Sequence, residues 1–144
     1  DWQALKRLGA LPIVMDEGIL SPVEAEEFFA MGMMDGVVLK PARNAGLWPS
    51  RELVLRMRSR GALLLGSGLT DPDLSLAASL HLFAWADLDR PCALNGPQFL
   101  ADPLARPPLT PRDGELLLPP GPGLGVEPAA QRLHFEVVAE AARF

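Results

Sequence analysis

Four short apolar runs recur along the chain at an interval of about 24 residues, and that repeat limits the folds open to it. The runs are Leu11–Met15, Gly36–Leu39, Ala62–Leu65 and Trp85–Leu88. Each interval has room for one strand, one helix and two tight loops. The first three runs are continuous rather than alternating, as expected of strands covered on both faces.

The segments between the runs carry helix start and stop signals. Ser21-Pro22-Val23-Glu24 combines a capping hydroxyl, a proline in the first turn and the glutamate of a capping box, and Gly32 is the expected stop. A second helix is expected from about Pro49-Ser50 to Gly61, with Leu53, Val54 and Met57 on one face. A third opens at Asp71-Pro72-Asp73 and runs through Leu76, Leu80 and Phe83. A further helix end, Trp2 to Gly9, precedes the first run. Strand and helix therefore alternate, which predicts parallel strands with right-handed crossovers.

The remainder has a different character. Ten of the 15 prolines fall between Pro91 and Pro128, and proline cannot donate to a ladder or continue a helix. This segment reads as a loop wrapping over the scaffold, with Glu115–Leu118 as a short strand. Gln131–Phe144 fits helix or strand equally.

Bulk composition narrows the function. Hydrophobic residues at 49% and charged residues at 22% exclude a disordered chain. A net charge of −5 gives no footprint for nucleic acid, and no apolar run reaches the roughly 20 residues that cross a bilayer. The lone Cys92 excludes an internal disulfide and suits a reducing, cytoplasmic setting.

Parallel strands form either an open sheet or a barrel. A dinucleotide-binding sheet needs a glycine-rich turn after its first strand, whereas this chain has Asp16-Glu17-Gly18-Ile19-Leu20, which repels phosphate. The barrel is favoured, and the C-terminal strand ends of a barrel form its active site. Those ends read Asp16-Glu17, Lys40, Gly66-Ser67 and Asp87-Leu88-Asp89. A strand-tip carboxylate suits Mg²⁺, or Mn²⁺. A lysine near a divalent cation has a lowered pKa and serves as a base.

With those residues in view, Pro12-Ile13-Val14-Met15-Asp16-Glu17 resembles the fifth barrel strand of the enolase superfamily, in its mandelate racemase and muconate-lactonizing branch. The stretch from Asp35 to Leu47, with Leu39-Lys40-Pro41-Ala42-Arg43-Asn44 at its centre, resembles the sixth strand and its loop. Gly96-Pro97 and Pro122-Gly123-Leu124-Gly125-Val126 resemble the family's ending. The resemblance implies that residues 1–90 are the second half of a modified (β/α) barrel, strands five to eight. It further implies that residues 91–144 pack on the barrel and a capping region. By the same resemblance, the capping domain and the first half of the barrel are expected to lie outside this chain. It also implies that Asp16 is the third ligand of Mg²⁺ and Lys40 an acid/base catalyst acting on the proton α to a carboxylate. Racemisation, epimerisation, cycloisomerisation and dehydration all fit that step.

Asp87-Leu88-Asp89 resembles the Asp-x-Asp with which dipeptide epimerases hold a substrate ammonium. Glu17 and Arg43 are read as supporting residues, Arg43 positioning Glu17 or another loop carboxylate. Asp71 stands where many relatives carry Glu, and Ala45-Gly46 replaces a Gly-Gly pair. The expected partners are a small carboxylate substrate and either the missing half-barrel or a second copy of the chain. Two other readings stand beside this one. Lys40 could form a Schiff base in an aldolase-like barrel, or the chain could be a structural half-barrel without catalysis. His81 and His134 read as core or surface histidines, Cys92 as unreactive, and the Met31, Met33 and Met34 cluster as core filler.

Overall fold

A computed structural model describes residues 2–130, so the Gln131–Phe144 segment and His134 lie outside the described residues. The order is α1 (Trp2–Arg7), β1 (Val14–Met15), α2 (Pro22–Ala30), β2 (Gly36–Leu39), α3 (Leu47–Ser59), β3 (Leu63–Gly66) and α4 (Asp73–Trp85). A 3-10 turn (Pro97–Phe99) and two short strands, β4 (Ala105–Arg106) and β5 (Glu127–Pro128), follow.

The strands β1, β2 and β3 form one parallel sheet in chain order. Parallel strands in sequence order require a crossover each time, and α2 and α3 provide them. Helix α2 starts where its sequence predicts. The Ser21 hydroxyl accepts from Glu24 N and the Glu24 carboxylate accepts from Ser21 N, closing the capping box. Helix α3 begins two residues before Pro49, capped by Gly46.

One face of the sheet is covered by helices. Met15, Val37, Leu39 and Leu64 pack there against Ala25, Leu53, Val54, Met57, Leu82 and Phe83. Each fully buried Leu or Met contributes on the order of 2 kcal/mol. The other face, which carries Val14, Val38, Leu63 and Leu65, is only half-buried. Close strand approach depends on Gly36, where a Cβ would lie 2.4 Å from the Leu63 carbonyl oxygen. Asp35 holds the entry to the sheet: its carboxylate accepts from Ile13 N at 2.9 Å and pairs with Lys6 at 3.0 Å.

The fourth strand is not where the apolar run places it. Trp85 ends α4, and Ala86 to Leu88 form the turn beyond it, with Leu88 N donating back to Phe83 O. Parallel pairing resumes later, at Ser67 and Ala93, with Ala93 N donating to Gly66 O at 3.0 Å and Gly68 N to Ala93 O at 2.9 Å. The Trp85–Leu88 run is apolar for another reason. Ala86 is fully buried and Leu88 packs on the core, so the helix end needs apolar residues as a strand would.

The proline-rich segment packs on α4. Leu109 joins Leu76, Ala77 and Leu80 in a second apolar cluster, with Leu116, Leu124 and Val126 against it. Glu115–Leu118 is not a strand: only an isolated antiparallel bridge, Arg112 to Glu115, forms there. The ordered pairing is instead β4 with β5. Asp73 is the anchor. Its carboxylate is 1% exposed and accepts from Leu104 N at 2.8 Å and Leu109 N at 3.1 Å. Asp73→Ala should therefore cost about 1–3 kcal/mol, since two amides lose a charged acceptor. It should also open residues 104–109 to limited proteolysis before the sheet unfolds. Equal protease resistance in both proteins would show that the segment is held by its apolar contacts alone.

Candidate active site

The parallel register brings the ends of β1 and β2 side by side, since Met15 pairs with Val37 and Leu39 with Gly66. Asp16 and Glu17 follow β1, and Lys40 follows β2, so all three stand at one edge of the sheet. Lys40 is 5% exposed. Its ammonium lies 2.9 Å from Asp16 Oδ1 and also donates to Glu17 Oε1. Both carboxylates are about half exposed, so the lysine is the buried member of the cluster.

A buried ammonium is costly unless paired. Desolvation pulls the Lys40 pKa down, but hydrogen bonds to Glu17 and Asp16, with their charges, outweigh it and hold it above the ordinary lysine range. The expected lowering is for a lysine beside a divalent cation, whereas the raised value belongs to the chain's own residues. This chain's own residues put two carboxylates there. Glu17 moves the other way: the hydrogen bond from Lys40, then one from the backbone, hold its carboxyl below the usual glutamate value.

Two loop residues fix this geometry. Arg43 Nε donates to the carbonyl oxygen of Glu17 at 2.8 Å, so it positions Glu17 through the backbone rather than through its carboxylate. Asn44 was not singled out from the sequence, yet it ties the two strand ends together. Its Oδ1 accepts from Lys40 N at 2.8 Å and its Nδ2 donates to Ile19 O at 3.0 Å, with the side chain 1% exposed. Its position four residues after the lysine, in a loop that must turn, is the signal that points to it.

The remaining candidates are elsewhere. Asp71 is buried after β3, where it accepts from Leu69 N at 3.2 Å and its backbone crowds Gly96. That is a turn-building role. Asp87 and Asp89 are not brought to Lys40. They follow α4 and precede the pairing at Ala93, so they lie at the entry end of the next strand, on the opposite edge of the sheet. Arg58, near the end of α3, donates to Ala86 O and marks that edge. His81 Nε2 lies 3.2 Å from Leu124 O and serves the packing of the proline-rich segment.

The chemistry of the cluster is that of hard oxygen donors beside a buried amine. Asp16 and Glu17 are the donor type that Mg²⁺ takes, but no group of three or more His, Cys, Asp or Glu able to hold a metal occurs among the described residues.

Comparison with known proteins gives the family. Residues 1–132 match the family described as Enolase C-terminal domain-like. The chain belongs to this family. Within the enolase superfamily it falls in the mandelate racemase and muconate-lactonizing branch, in the C-terminal part. It is 36% identical over 125 residues to muconate cycloisomerase 1 of Rhodococcus opacus, covering 85% of this chain and 33% of that protein. It is 32% identical over 140 residues to chloromuconate cycloisomerase of Pseudomonas putida, covering 94% of this chain and 38% of that protein. The structure superposes on muconate lactonizing enzyme from Klebsiella pneumoniae with a TM-score of 0.85 at 28% identity, over 92% of this chain and 38% of that one. The enolase-family chain thus spans about a third of the length of the relatives it matches.

The ion pair makes a direct expectation for titration. Glu17 is charged throughout neutral pH, and its contact with Lys40 is present above the unfolded carboxyl value and lost as pH falls through the lower folded value. Lys40→Met should return the Glu17 carboxyl toward its ordinary value of 4.5 in a carbon-13 NMR titration. An unchanged Glu17 midpoint in that variant would show that the backbone contacts alone lower it.

Proposed function

We propose that this chain is the part of a Mg²⁺-dependent cycloisomerase, racemase or related enzyme in which Lys40 exchanges a proton with the carbon α to a substrate carboxylate. The observation that carries the reading is the buried Lys40 ammonium held against Asp16 and Glu17 at adjoining strand ends. The similarity to muconate and chloromuconate cycloisomerases favours cycloisomerisation of an unsaturated dicarboxylate. The complete enzyme would draw its capping domain, the first half of the barrel and the other metal ligands from outside this chain.

In this scheme Asp16 is a ligand of Mg²⁺, with Mn²⁺ as a substitute, and Glu17 supports it from the adjoining position. When bound, the metal neutralises negative charge that builds on the substrate carboxylate as the α-carbon gains or loses its proton. Lys40 supplies that proton. One carboxylate oxygen of the dicarboxylate attacks the double bond conjugated to the other carboxylate, the C–O bond closes the ring, and the displaced electron pair takes the proton from Lys40 Nζ. In this direction the lysine begins protonated, a state that its contacts with Asp16 and Glu17 favour. The reverse reaction uses the same amine as base. Schiff-base chemistry has less support, since it needs a neutral amine and the surroundings of Lys40 are anionic.

Asp16→Asn should weaken Mg²⁺ binding by the complete protein at least tenfold by calorimetry, with little change in melting temperature. Unchanged metal affinity would remove Asp16 from the ligand set. Lys40→Ala should lower turnover by about 10²–10⁴ while leaving metal binding intact. The decisive measurement is deuterium wash-in at the α-carbon, followed by proton NMR. Wild-type exchange in Lys40→Ala would reduce Lys40 to a structural residue.

A further inference from the structure

We infer that α3 and the end of α4 carry a two-fold interface between copies of this protein, in which Arg51 of each copy meets Asp87 of the other around Trp48 and Trp85. The surface belongs to the solvent side of the helices and owes nothing to the proposed reaction.

An apolar stripe runs along α3. Leu47, Trp48, Arg51 and Leu55 fall within about 100° of arc on the helix, so they share one side of it. Trp48 is 74% exposed, Leu47 42% and Leu55 45%. Trp85, at the end of α4, is 46% exposed and completes the patch, because the Arg51 guanidinium lies 5.3 Å from the centroids of both indole rings. Together these side chains offer on the order of 400 Å² of apolar surface, the size at which a patch marks an interaction site. Closing the barrel leaves that patch in solvent. Helix α3 packs between α2 and α4, and α4 between α3 and the proline-rich segment. Added strands would carry their own helices beyond those flanks, not over these outer faces.

Charge says what covers it. Stacking on two rings occupies the faces of the Arg51 guanidinium and leaves its edge donors open, with no hydrogen-bond or ion-pair partner among the described residues. That donor set suits a carboxylate. This chain has one to give at the right place. Asp87, two residues after Trp85, is exposed, and its carboxylate likewise has no partner among the described residues. It stands on the other flank of α4, with Ala84 and Leu88 in the wall of a cavity shared with the proline-rich segment. Trp85 thus has a cation on one side and an anion on the other. A two-fold axis through Trp85 brings Arg51 to the partner's Asp87 and Asp87 to the partner's Arg51, with Trp85 against the partner's Trp85. A stable interface buries about 800 Å² per partner, so the apolar patch supplies roughly half and the two ion pairs with their surroundings form the rim. Trp and Arg are also the residues that dominate binding energy at such contacts.

The test reverses the charges one at a time and follows self-association of the complete protein by sedimentation velocity, without substrate. The wild type should associate through this face. Arg51→Asp and Asp87→Arg each set like charges opposite one another twice, and each should weaken that association at least hundredfold. An equimolar mixture of the two variants should recover it to within tenfold of the wild type, because each then offers the charge the other needs. Recovery on mixing also shows that both variants fold. Asp87 has a φ of 41°, which asparagine tolerates, so Asp87→Asn tests the same pair should the arginine variant not fold, with association weakened about tenfold. A wild type that stays monomeric gives the face to a different partner and overturns the inference. Association unmoved by both reversals overturns it as well, as does loss in both folded variants without recovery on mixing.

Discussion

Everything at the functional edge of this molecule depends on the parallel register of β1, β2 and β3. Parallel strands start at one edge and finish at the other, so residues far apart in sequence meet if they share a place just after a strand. Asp16 and Lys40 are 24 positions apart and meet at 2.9 Å for that reason. The register is set by packing as much as by hydrogen bonds. A slip of one residue would turn Val37 and Leu39 away from the helices and remove Lys40 from its partners.

The site balances two opposing effects on one amine. Burial disfavours the Lys40 charge, and the two carboxylates favour it more strongly. Asn44 and Arg43 hold the loops so that this contact forms at all, one through Lys40 N and Ile19 O, the other through Glu17 O. These are backbone contacts, which set where a loop lies without fixing which side chains it carries.

The half-buried face of the sheet and the anchoring of the proline-rich segment belong to the same architecture. Val14, Val38, Leu63 and Leu65 face a side where the described residues put no helix, as strands of an incomplete barrel would. On the helical side, Asp73 and His81 fasten residues 104–109 and Leu124 onto α4. The segment lacks amide donors at its prolines, so it depends on such side-chain anchors and on apolar contact rather than on a ladder.

Local chemistry made much of this legible. The Ser21 capping box, the stop at Gly32 and the run Gly36–Leu39 all depend on a few neighbouring residues, and the structure has them where the sequence puts them. The tips Asp16 and Lys40 followed from those strands together with the family resemblance. Trp85–Leu88 misled because an apolar run of four serves a buried helix end as well as a strand, and only tertiary contact separates them. Moving that strand to Ala93 carried Asp87 and Asp89 to the opposite edge. The bridging by Asn44 and the anchoring by Asp73 were likewise decided by the folded chain. Each depends on groups distant in sequence whose distance apart is fixed only once the sheet has closed on its helices.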